Sequence, residues 1–271
     1  MLPKTAPDGN GQPMDLQGKA AVVTGGGRGI GREAAHALAR AGARVVVAAR
    51  SLEQVTAVAN DLGSAGHEVH ALRCDVTLPE SVAELEAKAE RLLGSVDILV
   101  NNAGIASSAP IKATTLEDWN RILAVNATGP FLCTKAFIGK MAERRWGRVV
   151  NIASITSLSG APYIAAYTAS KHAVLGFTRV AAAEYGDKGV TVNAVCPGYV
   201  DTEMTDDSVR RVMERTGLDR DDALAAILST AHQKRLISPG EVAFVVLSLC
   251  ADLAGGVNGQ AIVVDGGGLL S

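Results

Sequence analysis

Tyr167 and Lys171 stand four residues apart in the run Ala165-Ala166-Tyr167-Thr168-Ala169-Ser170-Lys171. These are good helix formers, so the phenol and the ammonium share one helical face. A free phenol titrates near ~10, too high to exchange protons readily at neutral pH, and a fixed cation beside it favours phenolate. One pH unit corresponds to about 1.4 kcal/mol, so a shift of a few units would bring Tyr167 toward the range in which an acid/base works best. The chemistry that suits such a pair is proton transfer to or from an alkoxide, at a carbon that gains or loses a hydride. Ser154, thirteen residues upstream and directly after a Val- and Ile-rich run, can hydrogen-bond the same oxygen. Alone, Tyr-x-x-x-Lys arises by chance in many surface helices, so the elements that position it decide its meaning.

The first of these elements is a glycine turn. Thr24-Gly25-Gly26-Gly27-Arg28-Gly29-Ile30-Gly31 follows the apolar run Ala20 to Thr24 and opens a segment of helical period. Glycines there permit a sharp turn and close backbone approach, and a helix N-terminus offers free N–H groups to phosphate, as in dinucleotide binding. A second strand candidate ends about 20 residues later, where an acidic side chain would bind ribose hydroxyls and repel a 2'-phosphate. The sequence has Arg50 at that place. With Arg28 inside the turn, two guanidiniums suit a phosphate and favour NADP(H) over NAD(H). Asp75, closing the third strand before Val76, can accept from an adenine amino group or cap a turn.

Stepping outward, strand candidates recur at Ala20 to Thr24, Arg44 to Ala49, Val69 to Cys74, Ile98 to Asn101, Arg148 to Ile152, Val190 to Cys196 and Ala261 to Asp265, and all but the last precede helical segments. That alternation predicts an α/β fold, a seven-stranded parallel sheet between two helical layers in a single Rossmann-type doubly wound domain over 16–271. Residues 1–15, rich in Pro, Gly and Asn, read as a mobile tail. The charged stretch at about 203–233 breaks the rhythm, reads as two short helices around Gly217, and would cover a site as a lid. The 271 residues are 48% hydrophobic with a net charge of -2. The signs are mixed, so no basic stripe points to nucleic acid and no polybasic anchor to a membrane. No apolar run reaches the ~18 residues of a span. Four scattered cysteines without Cys-x-x-Cys spacing fit a reduced, cytoplasmic chain, and the histidines form no ligand spacing, so no metal is expected.

Taken together, Thr24-Gly25-x-x-x-Gly29-x-Gly31, Asp75, Asn101-Asn102-Ala103-Gly104, Asn126, Ser154, Tyr167-x-x-x-Lys171, Asn193 with Pro197-Gly198, and Val264-Asp265-Gly266-Gly267 resemble the short-chain dehydrogenase/reductase family from about Leu16 to Gly267. The resemblance implies a catalytic set of Asn126, Ser154, Tyr167 and Lys171, in which Asn126 holds a water that joins Lys171 to solvent. It implies a cofactor site of Gly25, Arg28, Gly29, Ile30, Gly31, Arg50, Asp75, Val76, Asn102, Ala103, Gly104, Pro197, Gly198, Val200 and Thr202, with Tyr167 and Lys171. Within that set Lys171 would hold the nicotinamide ribose, and Val200 and Thr202 the carboxamide and pyrophosphate. A homotetramer is implied too, with small residues Ala181, Ala182 and Ala183 on a face that meets its copy. Tyr163, which has no lysine four residues on, is expected to line the substrate pocket.

The activity expected is hydride transfer between nicotinamide and a carbonyl or secondary alcohol, with 3-oxoacyl thioesters resembling the substrate class. Two other readings share these motifs: a catabolic NAD(P)-dependent secondary-alcohol dehydrogenase, and a non-catalytic NADP(H) sensor. Arg28 and Arg50 weigh against NAD in the first, and the joint presence of Ser154, Tyr167 and Lys171 weighs against the second.

Overall fold

Every strand expected from the apolar runs forms, with ends displaced by at most one residue. They are β1 (Ala20–Thr24), β2 (Arg44–Ala49), β3 (Val69–Arg73), β4 (Ile98–Asn101), β5 (Gly147–Ile152), β6 (Val190–Pro197) and β7 (Ala261–Val264). The computed structural model describes residues 14–269, so most of the expected tail, residues 1–13, lies outside the described residues. The strands pair in parallel in the order β3-β2-β1-β4-β5-β6-β7. Both faces are buried, which is why the runs are continuously apolar instead of alternating. Along β1, Ala21 and Val23 enter one core and Ala20 and Val22 the other; along β2, Val45 and Val47 oppose Val46 and Ala48 in the same way.

The helices are α1 (Gly29–Arg40), α2 (Leu52–Ser64), α3 (Pro79–Leu93), α4 (Leu116–Leu123), α5 (Gly129–Glu143), α6 (Ala165–Tyr185), α7 (Glu203–Thr216), α8 (Arg220–Ile227) and α9 (Pro239–Cys250). Helices α1, α2 and α9 cover one face through Ala34, Leu38, Val55, Val58, Val242 and Val246. On the other face α3, α5 and α6 contribute Val82, Leu85, Phe137, Met141, Ala181 and Ala182. The last two therefore fill the protomer's own core and do not lie on an exposed face, contrary to the expectation from their small size. What α5 and α6 expose instead is Phe131 and Val180.

A wide π-helical turn, Ala124–Thr128, joins α4 to α5. The joined helix Leu116–Glu143 is long and apolar enough to span a membrane by length and composition, with a mean hydropathy of 1.3 over 18 residues, a length the sequence reading had not credited to any apolar run. Its apolar side chains Ile122, Cys133, Phe137 and Met141 are buried within the protein. Helix α7 ends at Gly217, whose φ of 75° is left-handed, and α8 begins with Asp219 capping the Asp222 amide, so the charged stretch forms two short helices around Gly217. The chain leaves the β3 edge and returns to β4 beside β1. At such a reversal the loops at the carboxyl ends diverge and open a crevice.

Candidate active site

The crevice is built from the glycine turn upward. At the end of β1, the Thr24 hydroxyl accepts from the Asn102 amide (3.1 Å) and the Ala103 amide (3.3 Å), while Asn102 Nδ2 donates to the carbonyls of Thr24 (3.0 Å) and Gly25 (2.9 Å). This ties the turn to the loop after β4. Gly25 has a φ of +64°, and a Cβ on Gly31 would lie 2.3 Å from both Asn102 Nδ2 and the Gly25 carbonyl. Only glycine fits either place. Helix α1 starts with no side-chain cap at Arg28, so its first N–H groups are left for a ligand.

One hollow over this turn is lined by Gly25, Gly27, Arg28, Ala49, Arg50, Gln54, Cys74, Asp75, Val76, Ala103 and Gly104. Asp75 is partly buried, which opposes its ionisation. Hydrogen bonds from the Thr77 hydroxyl (2.7 Å) and amide (3.0 Å), with Arg50 and Arg73 nearby, outweigh that burial and hold the carboxyl below its usual value. Asp75, which lines the hollow, is therefore an ionised acceptor. Arg50 is exposed and has no ion pair among the described residues. Arg28 differs from its expected role as a second free guanidinium, because it pairs with Glu203 at the start of α7. Both partners are mostly exposed, at 62% and 69%, so the pair is weak, on the order of 0–1 kcal/mol, and an incoming phosphate can compete for it.

The second hollow shares Gly104 with the first and continues along Ile30, Asn102, Ser154, Tyr167, Lys171, Pro197, Gly198, Val200 and Thr202. The two form one cleft, long and phosphate-friendly at one end and holding Tyr167 at the other. The sequence-predicted set is thus brought together, with three members behind the wall instead of in it. Gly29 and Gly31 shape the turn, and Asn126 stands behind the cleft. Its Nδ2 donates to the Ile105 carbonyl (2.9 Å) and to Ser170 Oγ (3.1 Å), and its Oδ1 accepts from the Ile105 amide (2.9 Å). Ser170 Oγ in turn donates to the Tyr167 carbonyl at 2.6 Å. Asn126 sits in the π-helical turn, and this chain of bonds locks the loop after β4 to the helix that carries Tyr167 and Lys171.

The electrostatics of the pair differ from what spacing alone suggests. Lys171 Nζ donates to the Ile152 carbonyl at 2.8 Å and lies 5.6 Å from the centroid of the Tyr167 ring. Burial pushes the Tyr167 phenol above its ordinary value; the Ser154 hydroxyl beside it acts in the opposite direction, and Tyr199 and Cys196 raise it further. Burial also lowers Lys171 to about 8. In a low-dielectric site the loss of hydration outweighs the attraction of a cation that is itself desolvated and engaged with a carbonyl. Tyr167 is therefore held as the neutral phenol, and the lowering expected from the lysine spacing is not what the burial of the pair produces.

Sequence reasoning missed Gln54, Ile105, Val125, Tyr199, Met204 and Thr205, all beside or in the cleft. Tyr199 had a signal, being an aromatic residue directly after the Pro197-Gly198 pair; the others carried none. Asn101 and Asn193 are structural: Asn101 bonds Asn151 (2.8 Å) and Thr134 (3.0 Å), and Asn193 bonds the Val257 carbonyl (2.7 Å). Asp265 accepts the Gly267 amide (2.9 Å) and folds the closing turn. Tyr163, expected to line the substrate pocket, lines neither hollow; it is half exposed, with a φ of 71°.

A glycine cradle at an uncapped helix, a free arginine at the end of β2 and a buried tyrosine–lysine pair are what a nicotinamide dinucleotide and a carbonyl require of a protein. The short chain dehydrogenase family model matches residues 19–212, and the chain belongs to that family, whose members are nicotinamide-dependent oxidoreductases acting between carbonyl and CH–OH groups. It is 37% identical over 259 residues to the 3-oxoacyl-[acyl-carrier-protein] reductase FabG of Aquifex aeolicus, covering 94% of this chain and 98% of the relative. It is 34% identical over 253 residues to the D-beta-hydroxybutyrate dehydrogenase of Rhizobium meliloti, covering 92% and 98%. Among solved structures, actinorhodin polyketide ketoreductase with NADPH superposes with a TM-score of 0.89 at 37% identity, covering 92% of this chain and 96% of that one.

Proposed function

We propose that this chain is an NADPH-dependent carbonyl reductase whose substrate is a 3-oxoacyl compound such as a thioester. The observation that carries the reading is the buried Tyr167, a neutral phenol beside Ser154, in the hollow that adjoins the one over the glycine turn. That is the protonation state needed to give a proton to a carbonyl oxygen. Arg50, with no acid partner, supports a 2'-phosphate over two free ribose hydroxyls.

The fit for the dinucleotide rests on the uncapped α1 terminus and on the hollow over the glycine turn, lined by Gly25, Gly27 and Arg28. Gly25, Gly29, Gly31 and Ile30 would take the pyrophosphate, with Thr202 beside it. Arg28 and Arg50 would take the phosphate on the adenosine ribose, Asp75 and Val76 the adenine, Asn102, Ala103 and Gly104 the ribose region, and Pro197, Gly198 and Val200 the carboxamide. Bound there, the reduced nicotinamide supplies the hydride. Ser154 donates a hydrogen bond to the substrate oxygen, Tyr167 delivers its proton there, Lys171 steadies the negative charge left on the phenol, and Asn126 holds the frame that carries both.

Relatives named as an acyl-carrier-protein reductase and a polyketide ketoreductase support a 3-oxoacyl substrate. The exposed apolar residues include Phe131 and Val180 on α5 and α6, and Phe244, Leu253 and Val263 near α9 and β7. Two such faces support a homotetramer built from two kinds of two-fold interface, testable by light scattering. The four free, buried cysteines support a reducing, cytoplasmic setting.

Initial rates of NADPH and NADH loss with a 3-oxoacyl thioester test the activity, with Tyr167→Phe as the control. Turnover with NADPH, absent from the variant, is expected; turnover equal in the variant would overturn the assignment of the proton donor.

A further inference from the structure

We propose that the cleft face of α7 recognises an anionic group at the far end of the carbonyl substrate, through Arg211 and Arg215; this rests on the reductase reading above. The lid carries four arginines in its two helices, and they divide into two kinds. Arg210 pairs with Asp207 (3.2 Å) and Arg220 with Asp206 (3.1 Å), so both are neutralised on the outside. Arg211 and Arg215 lie one helical turn apart on one face and have no carboxylate partner among the described residues. Arg211 donates to Ser208 Oγ (3.1 Å) and Arg215 to the Ser108 carbonyl (3.0 Å). Each guanidinium has five N–H donors, so most of its hydrogen-bonding capacity stays available.

Met204, seven residues before Arg211 and eleven before Arg215 and so on the same helical face, lines the hollow around Tyr167. Arg215 lies 5.5 Å over the ring of Tyr163, whose carbonyl accepts from the Ala109 amide at 2.7 Å. Tyr163 directly precedes Ile164, the N-cap of the helix that carries Tyr167. Arg211 acts on the Tyr199 phenol, favouring its ionised form against burial, and Tyr199 in turn acts on Tyr167. No Asp or Glu lines the hollow around Tyr167, so the helix face that carries Met204, Arg211 and Arg215 borders a hollow without counter-charge. A neutral chain would leave them unused, whereas an anion gains charge-assisted hydrogen bonds. The anion has two chemical sources: the carboxylate of a small oxo acid, or the phosphates of a thioester's carrier arm.

Kinetics with NADPH on a 3-oxo acid, its methyl ester, and the coenzyme A and N-acetylcysteamine thioesters of the same acyl group separate them. Wild type should prefer one anionic substrate over its neutral partner by about tenfold in KM, a difference of about 1.4 kcal/mol. Arg211→Gln and Arg215→Gln should each erase most of that preference, with kcat and the neutral substrate's KM little changed, which also shows that the variants fold. Preference for the acid identifies a carboxylate, and preference for the coenzyme A ester identifies phosphate. Equal KM values within both pairs, or equal losses on neutral and anionic substrates, would overturn the proposal. Calorimetric titration of the NADPH-loaded enzyme with the 3-hydroxy acid and with coenzyme A supplies a second readout. Should nothing turn over, the reductase reading fails, while anion binding that the two variants abolish would still uphold this site, and its absence would sink it.

Discussion

Replacing Lys171 with methionine should make the protein more stable while abolishing its activity. The ammonium is 5% exposed, and burial brings it from its ordinary 10.5 to about 8. That displacement corresponds to about 3 kcal/mol. Because the folded value lies below the unfolded one, below about pH 8 the lysine is charged in both states and the folded protein bears the full cost. From about 8 to 10.5 the folded lysine is neutral while the unfolded one still holds its proton, so wild-type stability rises with pH and the cost is gone above that window. Methionine keeps an unbranched apolar stem but loses the hydrogen bond to the Ile152 carbonyl, at about 1–2 kcal/mol. The net gain near pH 6.5 is about 1–2 kcal/mol, or about 2–8 °C in Tm for a chain of this size. Calorimetric melts of wild type and Lys171→Met at pH 6.5 and pH 10.5 read this directly. A variant that melts below wild type at pH 6.5, or a gap that does not narrow at pH 10.5, would refute the claim that burial governs this lysine.

Tyr167→Phe should bind NADPH with an unchanged Kd and lose kcat by about 10²- to 10⁴-fold, measured by fluorescence titration and steady-state rates. Arg50→Asp should weaken NADPH by about 10- to 100-fold and NADH far less, since one charge-assisted contact is worth about 1.5–3 kcal/mol; equal losses by titration would remove Arg50 from the cofactor site. Gly31→Ala places a methyl where the Gly25 carbonyl and Asn102 Nδ2 are 2.3 Å away. It should cost about 1–3 kcal/mol in denaturant melts and disrupt dinucleotide binding, because backbone cannot yield as a flexible side chain would.

The sheet was legible because a strand buried on both faces has few polar positions, so runs such as Arg44-Val45-Val46-Val47-Ala48-Ala49 announce both their presence and their parallel pairing. The glycine turn and Tyr167 with Lys171 were legible because local geometry restricts which residue types can stand there. Longer-range facts were not. The pairing of Arg28 with Glu203 spans 175 positions, and no spacing rule links them. Asn126 takes its partners from backbone groups of Ile105, which are present whatever residue is written there. The protonation of Tyr167 depends on how deeply it is buried, and helical spacing places the lysine without saying how dry the site is. Ala181 and Ala182 looked like an interface because small residues suit close approach between copies, but they suit close packing on a sheet equally well.

The most direct test uses NADPH carrying deuterium at both C4 positions, with mass spectrometry of the alcohol formed from a 3-oxoacyl thioester. Wild type should place one deuterium on the carbinol carbon, and Tyr167→Phe should form almost none of that product. An alcohol without deuterium, or labelled product formed as fast by the variant, would contradict hydride transfer from nicotinamide with Tyr167 as the acid.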